Sequence, residues 1–451
     1  MTDVGQKIWH FCHTLRDEGM SYGNYIEQLT YLLFLKMAAE KDADIPHGYT
    51  WSDLIKESGD SLMKKYDNIL EKLSKTQGVL ADIFANAKNL FRKPVGLKKI
   101  LDMINDIDWG SIPVDKLGTI YEDLLQRYAE EKKGGAGQYF TPRPLIKSMC
   151  KVMKPKIGLK IHDPACGTGG FLINAFEYIL DEIGGKLDPD DEDKLKYSTF
   201  SGQELVLDTR RLCIMSLYLH GIHDGIEYGD SLAEVKEAEW DMVLTNPPFG
   251  VKSGGEVPHR ADFNVETANK QLNFVQHVMS GLKIGGKAAM VLPDNVLFEE
   301  GAGAEVRKIL LRGFSVHTIL RLPLGTFAYV PGVKANVIFF DKGGKTENVW
   351  VYDLRTNSDK INKGNPLNED AFKEFEKLFE KRKETDRFKK FSYKQLEERN
   401  FNLDIKWIKD DSMHHEYEDP DVILENIKES EEKILEQVEK IIQVLQNGNS
   451  S

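Results

Sequence analysis

The first hundred residues repeat their apolar positions at helical spacing. Ile26, Leu29, Leu32, Leu33 and Leu35 form one such set, and Leu62, Ile69, Leu70 and Leu73 another. Lys7 to about Asn105 is therefore expected to be all-helical. The pattern breaks at Lys132-Lys-Gly-Gly-Ala-Gly137, a loop, and Pro142 and Pro144 restart the chain ahead of a further helix. From Lys160 to Asp341 short apolar runs alternate with helical stretches. The runs are Lys160–His162, Ser198–Gln203, Met242–Thr245, Lys287–Leu292, Val316–Leu322 and Asn336–Phe340. Such alternation predicts an α/β fold around a largely parallel sheet. Asn336–Phe340 and Val349–Tyr352 are expected to pair as an edge hairpin across Gly343-Gly344. Beyond them lie a charged helical stretch, Lys373–Glu398, and a tail from Asp419. In that tail Leu424, Ile427, Ile434, Val438, Ile441 and Leu445 fit heptad a and d positions, with Glu431 the polar exception. The tail helix either packs against a partner helix or folds onto its own domain. Three units are expected: a helical domain over 1–130, an α/β catalytic domain over 131–355 and a helical region over 356–451.

Composition narrows the class. The chain has 451 residues, 41% hydrophobic and 29% charged, enough for a substantial core. No leader or membrane-spanning stretch is apparent, so a cytoplasmic, membrane-free protein is expected. Cys12, Cys150, Cys166 and Cys213 lie too far apart for a disulfide frame or zinc site, and no metal is expected. A formal charge of -12 argues against a protein that grips nucleic acid mainly through its own surface. Gly344-Lys345-Thr346 ends like a phosphate-binding loop, but Phe339 stands where that motif requires glycine. The pair His414-His415 has no partners at ligand spacing.

Two segments carry chemistry. Asp163-Pro-Ala-Cys-Gly-Thr-Gly-Gly-Phe171 follows an expected strand and precedes a helix. Gly167 and Gly169 would let the backbone turn sharply and approach a ligand, and Asp163 could pair with a cationic amine or a hydroxyl. A structural turn or a nucleotide loop would read the same way. Asp241-Met-Val-Leu-Thr-Asn246-Pro-Pro-Phe-Gly250 ends another strand. Pro247 and Pro248 stiffen the chain and lack N–H donors, which leaves carbonyl acceptors and the Asn246 amide in a fixed arrangement able to hold an amino group. An ordinary Asn-Pro-Pro turn is the competing explanation.

In this order the two segments resemble S-adenosylmethionine-dependent amino-methyltransferases, with their glycine-rich loop and (Asp/Asn/Ser)-Pro-Pro-(Tyr/Phe) tetrapeptide. The resemblance implies a Rossmann-like methyltransferase domain, with Asn246 and the Pro247 carbonyl bonded to the target amine. It implies that Phe249 stacks on an extruded base and that Asp163, Gly167, Thr168, Gly169 and Gly170 hold the cofactor. The loop Gln138-Tyr139-Phe140-Thr141-Pro142-Arg143 resembles the segment that covers the methionine end of the cofactor. Glu204, in Gly202-Gln-Glu204, resembles the carboxylate that takes the ribose hydroxyls. Asp230, in Gly229-Asp-Ser-Leu232, resembles the residue that meets the adenine.

With the helical N-terminal region, its Leu32-Leu-Phe-Leu-Lys36 run and Gly285–Asp294, the chain resembles the modification subunit of type I restriction-modification systems, though it is short for that family. The resemblance implies methylation of adenine N6 in double-stranded DNA. No recognition domain follows the catalytic one, so a separate specificity subunit is implied, with two modification subunits on each and a restriction/translocation subunit in the full complex. An RNA guanine N2 or protein glutamine methyltransferase, or a noncatalytic assembly subunit, are the alternatives.

Overall fold

The computed structural model describes residues 7, 11, 22–40, 45–112, 141–233, 235, 237–250, 257–327, 332–362 and 364–409. Gln138, Tyr139 and Phe140, the loop at 132–137, His414-His415 and the tail from Asp419 lie outside these residues.

The N-terminal region is helical. The helix Tyr22–Glu40 is buried on nearly every side over Gln28–Leu35, which makes it the centre of the bundle and not an amphipathic surface helix. Its buried Gln28 is satisfied: the amide donates to Lys88 O at 2.8 Å and accepts from Tyr66 Oη at 3.3 Å. Around it the helix Gly59–Ser74 turns Leu62, Tyr66, Ile69, Leu70 and Leu73 inward, and the helix Pro94–Asn105 turns in Leu97, Ile100, Leu101 and Ile104. Helix Trp51–Ile55 begins at a reciprocal cap between Thr50 and Asp53. The bundle is joined to the α/β region by ion pairs and rings. Buried Arg211 pairs with Glu27 at 3.1 Å and donates to Ala85 O at 2.7 Å. Arg210 pairs with Asp82 at 2.9 Å, and Phe34 lies 5.5 Å from Tyr218.

Among the described residues nine strands form one sheet: β1 Ile161–Asp163, β2 Phe200–Glu204, β3 Ile226–Tyr228, β4 Trp240–Thr245, β5 Leu282–Pro293, β6 Phe314–Arg321, β7 Ala335–Lys342, β8 Asn348–Asp353 and β9 Phe388–Ser392. Their order is β3-β2-β1-β4-β5-β7-β6-β8-β9. The first five run parallel, and helices such as Gly170–Glu182, Leu207–His220 and Lys270–Gly281 make the crossovers. From β1 the chain steps outward to β2 and β3, then returns to place β4 on the other side of β1. The strand order therefore reverses between β1 and β4, and ligands of open α/β sheets bind outside the carboxyl ends of strands at such a reversal.

Two expectations are corrected. The edge hairpin of Asn336–Phe340 with Val349–Tyr352 does not form: β7 lies antiparallel between β5 and β6, and β8 pairs with β6 and β9. The run Ala335–Phe340, apolar except for Asn336, is buried throughout and belongs to a central strand, not an edge. The stretch Lys373–Glu398 is not all helix. Its helix Lys373–Lys381 stops at Arg382 in the left-handed region, β9 follows on buried Phe388, and a Ser392/Gln395 capping box starts the helix Tyr393–Glu398. The sheet thus runs past residue 355. Among the described residues no helix is long and apolar enough to cross a membrane.

Candidate active site

Because β1, β2 and β4 are parallel neighbours, their last residues share one edge. Asp163 ends β1, Glu204 ends β2, and Thr245 ends β4 directly before Asn246. Side chains then tie these ends together. Thr245 Oγ1 donates to Asp163 Oδ1 at 2.6 Å, and Ala165 N–H donates to the same oxygen at 3.0 Å. Gly167 N–H donates to Glu204 Oε2 at 3.0 Å, and Val206 N–H to Oε1 at 2.8 Å. Each Glu204 oxygen keeps further acceptor capacity for ligand hydroxyls. Ser231 Oγ donates to Pro164 O at 2.6 Å and Gly229 N–H to Glu204 O at 3.1 Å, so Asp230 sits between two residues stitched to the ends of β1 and β2. Asp230 itself accepts from Leu232 N–H at 2.9 Å.

The glycine-rich turn works by positive φ. Gly167 turns at +55° and Gly169 at +85°, the latter as the residue that opens the helix Gly170–Glu182. A Cβ on Gly169 would stand 3.0 Å from Cys213 Sγ, so this glycine also sets how closely the turn packs on the helix Leu207–His220.

A small cavity of about 50 Å³ opens at the switch point. Thr141, Arg143, Asp163, Gly167, Thr168, Gly170 and Asn246, all singled out in the sequence, line it together with Cys166 and Phe171 of the same glycine-rich segment and with Asn174, which was not singled out. Pro142 begins the helix Arg143–Met153 beside it. Within the cavity wall Asn246 Nδ2 donates to Thr141 Oγ1 at 2.9 Å. Its Oδ1 is buried with no hydrogen-bond partner among the described residues. A buried acceptor left in this state costs about 1–3 kcal/mol, so a ligand donor has a place to bind.

The prolines keep the Asn246 segment stiff, and Gln271 Nε2 donates to Pro248 O at 3.1 Å from the helix Lys270–Gly281. That bond engages Pro248 and not Pro247, whose carbonyl was expected to meet the amine. Phe249 is half-buried and meets Phe327 edge-on at 5.9 Å. Two apolar residues that the sequence reading passed over, Leu205 and Val206, are 59% and 42% exposed directly after Glu204, and Tyr228 is 60% exposed at the end of β3. The available signal was their position, apolar side chains just beyond an acidic strand end.

Burial pushes the Asp163 carboxyl up to about 7, against the Thr245 and Ala165 bonds that favour its charged form, and nearby Glu204 adds to the rise. Burial likewise raises Glu204, opposed by the N–H donors of Val206 and Gly167. A carboxyl raised on folding takes up a proton as the chain folds. Its stabilising effect is complete below the unfolded value near 4 and is lost as pH rises toward about 7. Asp163→Asn should remove this dependence. In urea titrations between pH 4 and 7, the wild type should lose on the order of 1 kcal/mol per pH unit more stability than the variant. Equal slopes for the two proteins would show that Asp163 titrates as an ordinary carboxylate.

A parallel sheet reversing at β1/β4, a glycine turn and an Asn-Pro-Pro-Phe segment at the same edge define a Rossmann-like methyltransferase domain behind an N-terminal helical region. Residues 113–416 match the N-6 DNA methylase family, and residues 4–104 match the HsdM N-terminal domain. The chain is 38% identical to the type I restriction enzyme StySJI methylase subunit of Salmonella typhimurium strain LT2, over 90% of this chain and 88% of that one. Its fold is similar to a modification subunit of a type I restriction enzyme from Vibrio vulnificus, with a TM-score of 0.78, 27% identity and coverage of 89% and 96% of the two chains. A chain from a structure on complex assembly and conformational transition of the type I R-M system gives 0.75, with 28% identity and 98% of each chain covered. The protein belongs to the methylase subunits of type I restriction enzymes, which are adenine-specific DNA methyltransferases.

Proposed function

We propose that the cavity at the β1/β4 reversal takes S-adenosylmethionine and the N6 amine of an adenine turned out of double-stranded DNA. The observation that carries this reading is the buried, unpartnered Oδ1 of Asn246, held within the same cavity wall as Asp163 and the glycine turn. An exocyclic amine is a donor of the kind this acceptor lacks.

The residues fit the cofactor's chemistry. Asp163, when ionised, suits a cationic partner, the Glu204 oxygens suit ribose hydroxyls, and exposed Leu205, Val206 and Tyr228 offer apolar faces for an adenine ring. Gly167, Thr168, Gly169 and Gly170 shape the turn, and Arg143 and Asp230 flank it; Gln138, Tyr139, Phe140 and Pro142 would complete the cover. When bound, S-adenosylmethionine supplies an activated methyl group. Asn246 Oδ1, with the Pro247 carbonyl, would orient the amine lone pair toward that methyl, and the stiff Pro247-Pro248 pair would limit the amine's motion. Phe249 would stack on the flipped base and offset a few kcal/mol of lost base stacking.

The net charge of -12 argues that partners supply much of the affinity for DNA. A similar chain comes from a structure on complex assembly of the type I R-M system, which fits the specificity subunit and restriction subunit that the resemblance implies as those partners. We assign two modification subunits to each specificity subunit, docking through the tail at 419–451, in the cytoplasm where the DNA lies. The test is transfer of labelled methyl from S-adenosylmethionine to DNA, RNA or protein, with and without the specificity subunit, followed by mapping of methylated adenines in cells with and without this chain. Label in N6-methyladenine at a defined sequence, dependent on the specificity subunit, is the expected result. Label in RNA or protein alone would overturn it.

A further inference from the structure

We infer that Thr141, besides its place in the loop expected to cover the cofactor, is a positioning residue for methyl transfer, acting on the orientation of the Asn246 amide. The inference rests on the proposed role of Asn246 as acceptor for the target amine.

A carboxamide has one face that accepts and one that donates, and only the accepting face suits an amine. Asn246 Nδ2 donates to Thr141 Oγ1 at 2.9 Å, which turns the donating face into the cavity wall and leaves Oδ1 with no partner. Rotation of the amide by half a turn would present its NH2 group to an amine that also donates. Thr141 is only 8% exposed, so water offers little substitute for its hydroxyl. Its backbone is held in turn: Thr141 precedes Pro142, whose carbonyl accepts from Leu145 and Ile146 N–H at 3.0 and 3.2 Å as the helix Arg143–Met153 begins.

A second hydroxyl fixes the other half of the geometry. Thr245 Oγ1 donates to Asp163 Oδ1 at 2.6 Å, which pins the end of β4 immediately before Asn246. Thr245 holds the backbone and Thr141 holds the side chain. The two act from different elements, since Thr141 is 105 positions from Asn246 in the chain.

The test uses the assembled enzyme, with specificity subunit, carrying Thr141→Val, Thr141→Ala or Thr141→Ser. Valine keeps the shape without the hydrogen-bonding oxygen, alanine removes shape and oxygen, and serine keeps the oxygen. Thr141→Val should lower kcat at saturating S-adenosylmethionine by roughly ten- to thirtyfold, as misorientation of a positioned group does, with KM for DNA changed by less than about threefold. Thr141→Ala should behave similarly, and Thr141→Ser should recover kcat to within about threefold of wild type. Thermal melts show which variants fold; should valine fail to fold, alanine and serine carry the comparison. Wild-type kcat in the folded variant lacking the hydroxyl would overturn the inference. So would a loss confined to cofactor Kd, or a serine variant no better than valine. Asn246→Ala runs alongside: if that variant keeps its rate, the assignment of Asn246 itself fails, whereas an inactive Asn246→Ala beside an unaffected Thr141→Val removes only the role given to Thr141.

Discussion

Asn246→Ala should reduce methyl transfer by the assembled enzyme about 10²- to 10³-fold while S-adenosylmethionine binds with near wild-type affinity. The size follows from what the side chain is positioned to do. Its Oδ1 is a buried acceptor with no partner among the described residues, on a residue that lines the cavity, and an acceptor placed in advance costs little reorganisation. Alanine removes that acceptor without touching Asp163, Glu204 or the glycine turn. Asn246→Asp should lose less, because a carboxylate still accepts and the resembled tetrapeptide admits Asp at this place. Single-turnover transfer and calorimetric titration with the cofactor separate the two effects. A kcat unchanged in Asn246→Ala would remove Asn246 from the reaction.

The largest effect on stability is expected at Arg355. Its buried guanidinium donates to both Asp294 oxygens at 2.7 and 2.9 Å, to Ala335 O at 2.8 Å and to Leu322 O at 2.9 Å. Asn336 Nδ2 adds a bond to Asp294 at 2.8 Å. This network joins the end of β5 to the start of β7 and the loop after β8. The Arg355→Ala change leaves a carboxylate largely enclosed without its cation and should cost about 3–5 kcal/mol in chemical denaturation. Adding Asp294→Asn should restore part of that loss, because the stranded charge disappears. The acid limb carries a second signature. Although burial opposes it, the Arg355 bonds hold Asp294 below the usual carboxylate range, so the stability it confers is present above its unfolded value and lost as pH falls through its folded one. In Arg355→Ala that acid sensitivity should diminish. A loss under about 1 kcal/mol would mean that the pair is stabilised by other groups.

In the parallel half of the sheet β4 and β5 were legible as apolar runs separated by helical ones, whereas β1 and β2 carry only Ile161 and Phe200 as large apolar residues. Short β3 was missed: Glu227 and Tyr228 are exposed, so only Ile226 gives a burial signal. β9 was missed because Phe388-Lys-Lys-Phe-Ser392 carries its lysines among helix-forming neighbours. The hairpin was misassigned for a different reason. Neighbours in sequence need not pair, and nothing in Asn336–Phe340 announces that β6 and β5 will enclose it. At the site, Asp163 and Asn246 were legible through two motifs read jointly. The bond from Asn246 to Thr141, the clamp from Gln271 to Pro248 and the Arg355 network were not, since each joins residues whose distance in the chain hides their contact.

The place of β7 also fixes an order of assembly. Among the described residues no ladder joins β5 to β6 directly; each meets β7 on that side. During synthesis β1 to β5, with the Asn246 segment, can acquire their register from chain already made. β6 cannot join them until Ala335–Lys342 has followed it, and β8 and β9 depend on β6 in turn. One half of the sheet can therefore grow with the nascent chain, while the other must wait for a strand made later to close the gap.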